Sequence, residues 1–173
     1  MRLLLILRKL YDPLLYCLAR LILYRGKLED KWSRIKGLSE QDFFDVIDKY
    51  HYLQDPLWGA WDFTSRNPNL FFSEKPEFPW MKERKWGRDC DDWAHLIFLW
   101  AKHHGYPAWK VAIWNGFCGG GHMTCIYFKD GKYVLADYRI RGRKDSFEEA
   151  LELFRDGGWL AYGKYDKLSW KIV

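Results

Sequence analysis

Gly87-Arg88-Asp89-Cys90-Asp91-Asp92-Trp93-Ala94-His95-Leu96-Ile97-Phe98-Leu99-Trp100-Ala101 is the stretch whose reading decides the fold. Trp93, Ile97, Phe98, Trp100 and Ala101 recur at helical spacing, so a helix opens near Cys90 with that side buried. Gly105 ends it and Pro107 prevents its resumption. A cysteine therefore stands where a loop enters a helix. Unpaired N–H groups and the positive end of the helix dipole favour an anion there. The expectation is a lowered thiol pKa and a set of donors for a developing oxyanion. Asp89, Asp91 and Asp92 act in the opposite direction if they face the sulfur. They are read as helix caps rather than as a metal-binding acid cluster.

Working outward, Trp109 to Trp114 is rich in Val, Ile and Trp and reads as a strand. Two further strands flank Asp130-Gly131, a strong signal for a two-residue hairpin turn. Such a turn pairs residues whose numbers sum to 261, which sets His122 opposite Arg139 and Thr124 opposite Asp137. His122 and Asp137 are then diagonal neighbours on one face, about 7–8 Å apart at Cβ. A carboxylate can reach an imidazole N–H across that gap, fix its tautomer and steady its charged form. Gly119-Gly120-Gly121 lacks the Lys-Ser/Thr of a phosphate loop and is read as room for substrate beside His122. Nucleophile on a helix start, base and orienting acid on a ribbon: this is the set that nucleophilic catalysis requires.

The remaining segments frame that set. Leu3, Leu7, Leu10, Leu14 and Leu21 follow helical spacing, with Asp12-Pro13 as a cap-and-start signal and Gly26 as a stop. Residues 27–37 read as a polar connection. Ser39 with Asp42, flanked by Leu38 and Phe43, reads as a capping box and hydrophobic staple for a helix over about 40–52, with Phe43, Phe44, Ile47 and Tyr50 inward. Residues 53–86 hold four of the six prolines and many aromatics, and read as the wall of a groove. Ser146 with Glu149 starts a helix to about Arg155, which Gly157-Gly158 ends. Trp159 to Tyr162 and Leu168 to Ile172 are short strand candidates. No internal repeat is visible.

Bulk properties exclude several classes. Of the 173 residues, 49% are hydrophobic and 19% aromatic, which suits a packed domain and not a disordered chain. Net charge is +5, from 28 Lys+Arg against 23 Asp+Glu, with no dense basic run. The nearest is Arg139-Ile140-Arg141-Gly142-Arg143-Lys144, read as a solvated loop, so no nucleic-acid partner is expected. Cys17, Cys90, Cys118 and Cys125 contain no CxxC pair, and a reduced, cytoplasmic setting is expected. Cys118, His122 and Cys125 do not have a standard zinc spacing, so no metal and no cofactor are expected. Arg8, Lys9 and Asp12 interrupt the N-terminal apolar run, so residues 1–25 are read as a helix for a partner or a membrane surface, not a span or signal peptide.

The Cys90 segment, followed by Gly105-Tyr106-Pro107-Ala108, resembles the cysteine-helix motif of the transglutaminase-like superfamily. Gly121-His122-Met123-Thr124 and Gly131-Lys132-Tyr133-Val134-Leu135-Ala136-Asp137-Tyr138 resemble its histidine and aspartate strands. Order and spacing agree: 32 residues from Cys90 to His122 and 15 more to Asp137. The resemblance covers about residues 50–140 and is closest to bacterial and phage cysteine-proteinase-like members. It implies an α+β, papain-like fold with N-terminal helices and an antiparallel sheet, split into a helical appendage over 1–37 and a cysteine-hydrolase domain over 38–173. It implies a Cys90, His122, Asp137 triad acting on a peptide or protein through a thioester. Transglutaminase-type acyl transfer and a non-catalytic peptide-binding module share the same residues. The family also supports its oxyanion from an upstream residue, for which Gln54, Trp61, Trp80 and Trp86 are the candidates. Arg88 departs from the small or acidic run usual before the cysteine.

Overall fold

The computed structural model describes residues 29–52, 67–72, 89–114, 121–156 and 169–172. The expectations for the helices over 1–25, for Cys17, Gly26, Arg88, Cys118, Gln54, Trp61, Trp80 and Trp86, for Gly157-Gly158 and for Trp159 to Tyr162 lie outside the described residues.

In chain order the elements are α1 (Trp32–Ile35), α2 (Glu40–Ile47), a 3-10 turn (Pro68–Phe72), α3 (Cys90–His103), β1 (Ala108–Trp114), β2 (Gly121–Lys129), β3 (Lys132–Ala136), β4 (Ile140–Lys144), α4 (Phe147–Asp156) and β5 (Ser169–Ile172). Residues 27–37 are thus not wholly a connection: α1 forms there because Ile35 is buried and Trp32 packs on the core. At α2 the Ser39 hydroxyl oxygen accepts from the Asp42 N–H, and Leu38 joins Phe43 in one cluster, as a staple should. The helix stops at Ile47, short of the expected residue 52. Tyr50 leaves the helical path to lay its ring near Phe71 and Phe72, at 5.6 and 5.5 Å between centroids. Tertiary packing thus overrides local periodicity. At α4 the capping box is reciprocal: Glu149 N–H donates to Ser146 Oγ and Ser146 N–H to Glu149 Oε2. Gly105, at φ 76°, follows α3 in the left-handed conformation that glycine tolerates.

The described strands form one antiparallel sheet in the order β4-β3-β2-β1-β5. Asp130 and Gly131 both have positive φ, 52° and 74°, the signature of a type I′ turn. The β2–β3 register follows: Lys129 pairs with Lys132, Ile126 with Leu135 and Cys125 with Ala136. Residues 140–144, expected as a solvated loop, instead form the edge strand β4. Ile140, Gly142 and Lys144 are half-buried while Arg141 and Arg143 are exposed, although Ile140 packs with Ala136 on the face of α3 and Gly142 on the face of α4. Gly142 lies under α4, where a Cβ would come within 2.6 Å of Leu153 Cδ1. The β3–β4 ladder carries a bulge. Leu135 pairs with Gly142 and Ala136 with Ile140, which leaves Arg141 as the extra residue.

Two apolar clusters place the sheet between helical layers. On one face, Cys125 and Tyr127 of β2 and Val134 and Ala136 of β3 pack with α2, α3 and the 3-10 turn. On the other, Val111, Ile126 and Leu135 pack with Ala150 and Leu151 of α4. The architecture is α+β. No helix among the described residues is long and apolar enough to cross a membrane.

Candidate active site

The start of α3 is held by its own acids. Asp89 is the N-cap and accepts from the Asp91 N–H at 3.3 Å, while Asp92 Oδ2 accepts from the Asp89 N–H at 3.1 Å. Two of the three aspartates flanking Cys90 therefore cap the helix, as expected. Cys90 is the first residue of the helix and is half-buried.

The site forms where the ladder stops. Pairing of β2 with β3 ends at Cys125–Ala136, and residues 137–139 bend, with the Asp137 N–H donating to Arg139 O. The start of α3 meets β2 at this end of the sheet, where the main-chain N–H of Met123 lies against the Cys90 sulfur. Met123 directly follows His122. The imidazole Nε2 of His122 is 3.2 Å from Asp137 Oδ1, and both side chains are buried. Thr124, fully buried, ties β2 to β3 by donating its hydroxyl to Ala136 O at 2.7 Å. His122 and Asp137 therefore meet as inferred, but across the bend just beyond the last ladder pair: the expected pairs His122–Arg139 and Thr124–Asp137 are not part of the ladder. The structure brings Cys90, His122 and Asp137 to one end of one sheet.

Two neighbours had no signal of their own in the sequence. Arg141 Nη2 donates to Asp137 Oδ2 at 3.3 Å, from the bulge of β4. Only the run Arg139 to Lys144 hinted at it, and alternation within that run would have marked a strand. Tyr138 sets its ring 6.2 Å from the His122 ring and 5.4 Å from that of Trp93. Burial, then the charges of Asp137 and Cys90, push the Tyr138 phenol up, so it stays a hydrogen-bond donor beside the sulfur.

The electrostatics correct one expectation. Cys90 is not a lowered-pKa thiol: burial first, then the charges of Asp89, Asp91 and Asp137, push it up to about 12, against the Met123 amide. The helix dipole also favours the anion, yet burial, with the nearby charges of Asp89, Asp91 and Asp137 added, outweighs it. Asp89, Cys90 and Asp91 bring their ligand atoms within 4.8 Å of one another, the one such group among the described residues. Asp89 is already committed to the cap. Cys125 is buried and lies three residues from His122 on one strand, so the two side chains point to opposite faces and do not share a metal.

Comparisons with protein-family models, curated proteins and solved structures find no match for this chain.

Proposed function

We propose that this chain is a cysteine-dependent hydrolase of the peptidase or amidase kind, with a papain-like, transglutaminase-like arrangement of its α+β fold. The observation that carries the reading is the buried His122–Asp137 contact at 3.2 Å beside a helix-start cysteine whose sulfur meets the next residue's amide. Asp137 on Nε2 leaves Nδ1 as the nitrogen through which His122 takes a proton.

Cys90 attacks the carbonyl carbon of an amide or ester, and its proton passes to His122 as the S–C bond forms. The raised thiol makes this coupling necessary, since little thiolate preexists at neutral pH. The carbonyl electrons move onto oxygen. When they return, the C–N or C–O bond breaks and the leaving group takes the proton from His122. A thioester remains. Water then attacks it, His122 receives the water proton, and the C–S bond breaks as the sulfur takes that proton from His122, which restores the thiol. An amine in place of water gives transfer instead, as in transglutaminase-type chemistry. The substrate class that suits this site is an extended peptide. The thiol pushed up to about 12 is the observation favouring the second reading, a non-catalytic binding module on the same fold.

Acetylation by p-nitrophenyl acetate separates the two. The expected result is a burst of nitrophenol with the acetyl group on Cys90 by mass spectrometry, slowed at least ~100-fold in His122→Ala. If Cys90 acetylates equally fast with and without the imidazole, the enzyme reading fails and the binding module stands. In His122→Ala the unassisted thiol should react about tenfold faster per pH unit through roughly pH 7 to pH 10, without a plateau.

A further inference from the structure

We propose that Arg141 is the positioning residue that braces the Asp137 carboxylate and, by offsetting its charge, keeps the buried His122–Asp137 pair from trapping a proton. This rests on the cysteine-hydrolase reading for its consequence in catalysis, but not for its physical content.

Asp137 is only 2% exposed. A carboxylate that deep persists only with compensating charge and hydrogen bonds; otherwise it takes a proton or forces one onto a neighbour. The titratable and charged groups facing the cluster are Asp89, Cys90 and Asp91 from the start of α3, His122 from β2, Tyr52, Tyr138, and Arg141 from β4. Three of these are acids or neutral donors that add negative charge or none: Asp89, Asp91 and the Tyr138 phenol. The Cys90 thiol is neutral at rest, so it passes no proton to His122 to make an imidazolium. Among these described groups the fixed cation is Arg141, at 3.3 Å from Asp137 Oδ2.

The backbone explains how it gets there. Regular alternation would give Arg141 the direction of Arg143, which reaches Glu40. The bulge between Leu135 and Ala136 breaks the alternation at Arg141. Bulges re-aim a side chain at the cost of a ladder pair, and they concentrate beside active sites. The result is a carboxylate held from both sides: guanidinium on Oδ2, imidazole on Oδ1. With the guanidinium gone, the buried pair binds its proton more tightly. Whichever partner carries that proton, the base is lost over the pH range where the pair stays protonated.

The test follows the His122 ring by long-range proton–nitrogen NMR across pH in the full chain. The chain has five histidines, and the His122 signal is assigned by its disappearance in His122→Gln. In Arg141→Met the titration midpoint should rise by about one pH unit or more, the scale set by one opposite charge at contact. Arg141→Lys should return most of it. The acid limb of p-nitrophenyl acetate acetylation should move in step. An unmoved midpoint in a folded Arg141→Met chain overturns the proposal. Should that variant not fold, Arg141→Gln carries the test: an upward shift supports the proposal and no shift refutes it. A shifted midpoint in a chain whose Cys90 fails to acetylate sinks the hydrolase reading alone.

Discussion

Compare the two ends of the β2–β3–β4 ribbon. Each holds a carboxylate, and β4 supplies an arginine to each, Arg141 to Asp137 and Arg143 to Glu40. Near the hairpin turn, Glu40 reaches in from α2. It accepts from the Tyr127 hydroxyl at 2.5 Å, from Lys129 Nζ at 3.1 Å and from Arg143. Burial pushes its carboxyl up, but the hydrogen bonds from Tyr127, Arg143 and Lys129 more than reverse this and hold it below its ordinary value. Burial and the Glu40 charge push the Tyr127 phenol up, so it remains a donor. At the other end Asp137 has a guanidinium and an imidazole, with a thiol close by. The difference is one of proton mobility. Glu40 is held by a phenol, an ammonium and a guanidinium, so that cluster is a lock joining α2 to the sheet. At Asp137 one partner is an imidazole, the side-chain type that the proposed hydrolase would use as its general base.

Asp137→Asn tests the contrast hardest. An amide there can donate to Nε2 and stabilise the wrong tautomer, and it leaves Arg141 without its counter-charge. Acetylation of Cys90 should fall on the order of a thousandfold, read as the burst rate at constant folded fraction. A drop under about tenfold would make Asp137 a structural residue like Glu40.

Glu40→Gln should do the converse. The acetylation rate stays unchanged while stability falls by about 2 kcal/mol, because Lys129 and Arg143 lose a charged acceptor in a half-buried place. The check is the urea midpoint at constant slope. The sign with pH follows from the lowered carboxyl. Its contribution is fully present above glutamate's ordinary value of 4.5 and is lost as pH falls through the lower folded value. Glu40→Gln should therefore flatten the acid end of the stability profile. A chain that loses acetylation but not stability would invert the assignment of the two clusters.

The smallest expected effect falls between the arginines. Gly142→Ala would press a Cβ on Leu153, 2.6 Å from its Cδ1. The Leu153 terminus can turn aside, so the cost is about 1 kcal/mol in the urea midpoint. Because β4 carries both arginines, a shift of the strand should perturb the His122 titration and the acid stability together. A change in only one would show that the two ends are independently braced.

What could be read without coordinates was whatever depends on neighbours in the chain. The I′ turn at Asp130-Gly131 fixes a register that runs to Cys125–Ala136, and extending it sends His122 and Asp137 to the same end of the ribbon, although the bend at 137–139 completes their approach. The helix start at Cys90 and the caps at Ser39, Asp89 and Ser146 are likewise local hydrogen-bonding events within three residues. The tertiary structure alone decided the rest. Tyr50 ends α2 early for a contact with Phe71 and Phe72, and the Glu40 lock joins residues 87 to 103 positions apart. The bulge that turns Arg141 onto Asp137 arises only once β4 is laid against β3 under α4. Nor was the raised Cys90 thiol legible. Its main cause is burial, and burial depends on what packs around a residue rather than on what precedes it in the chain.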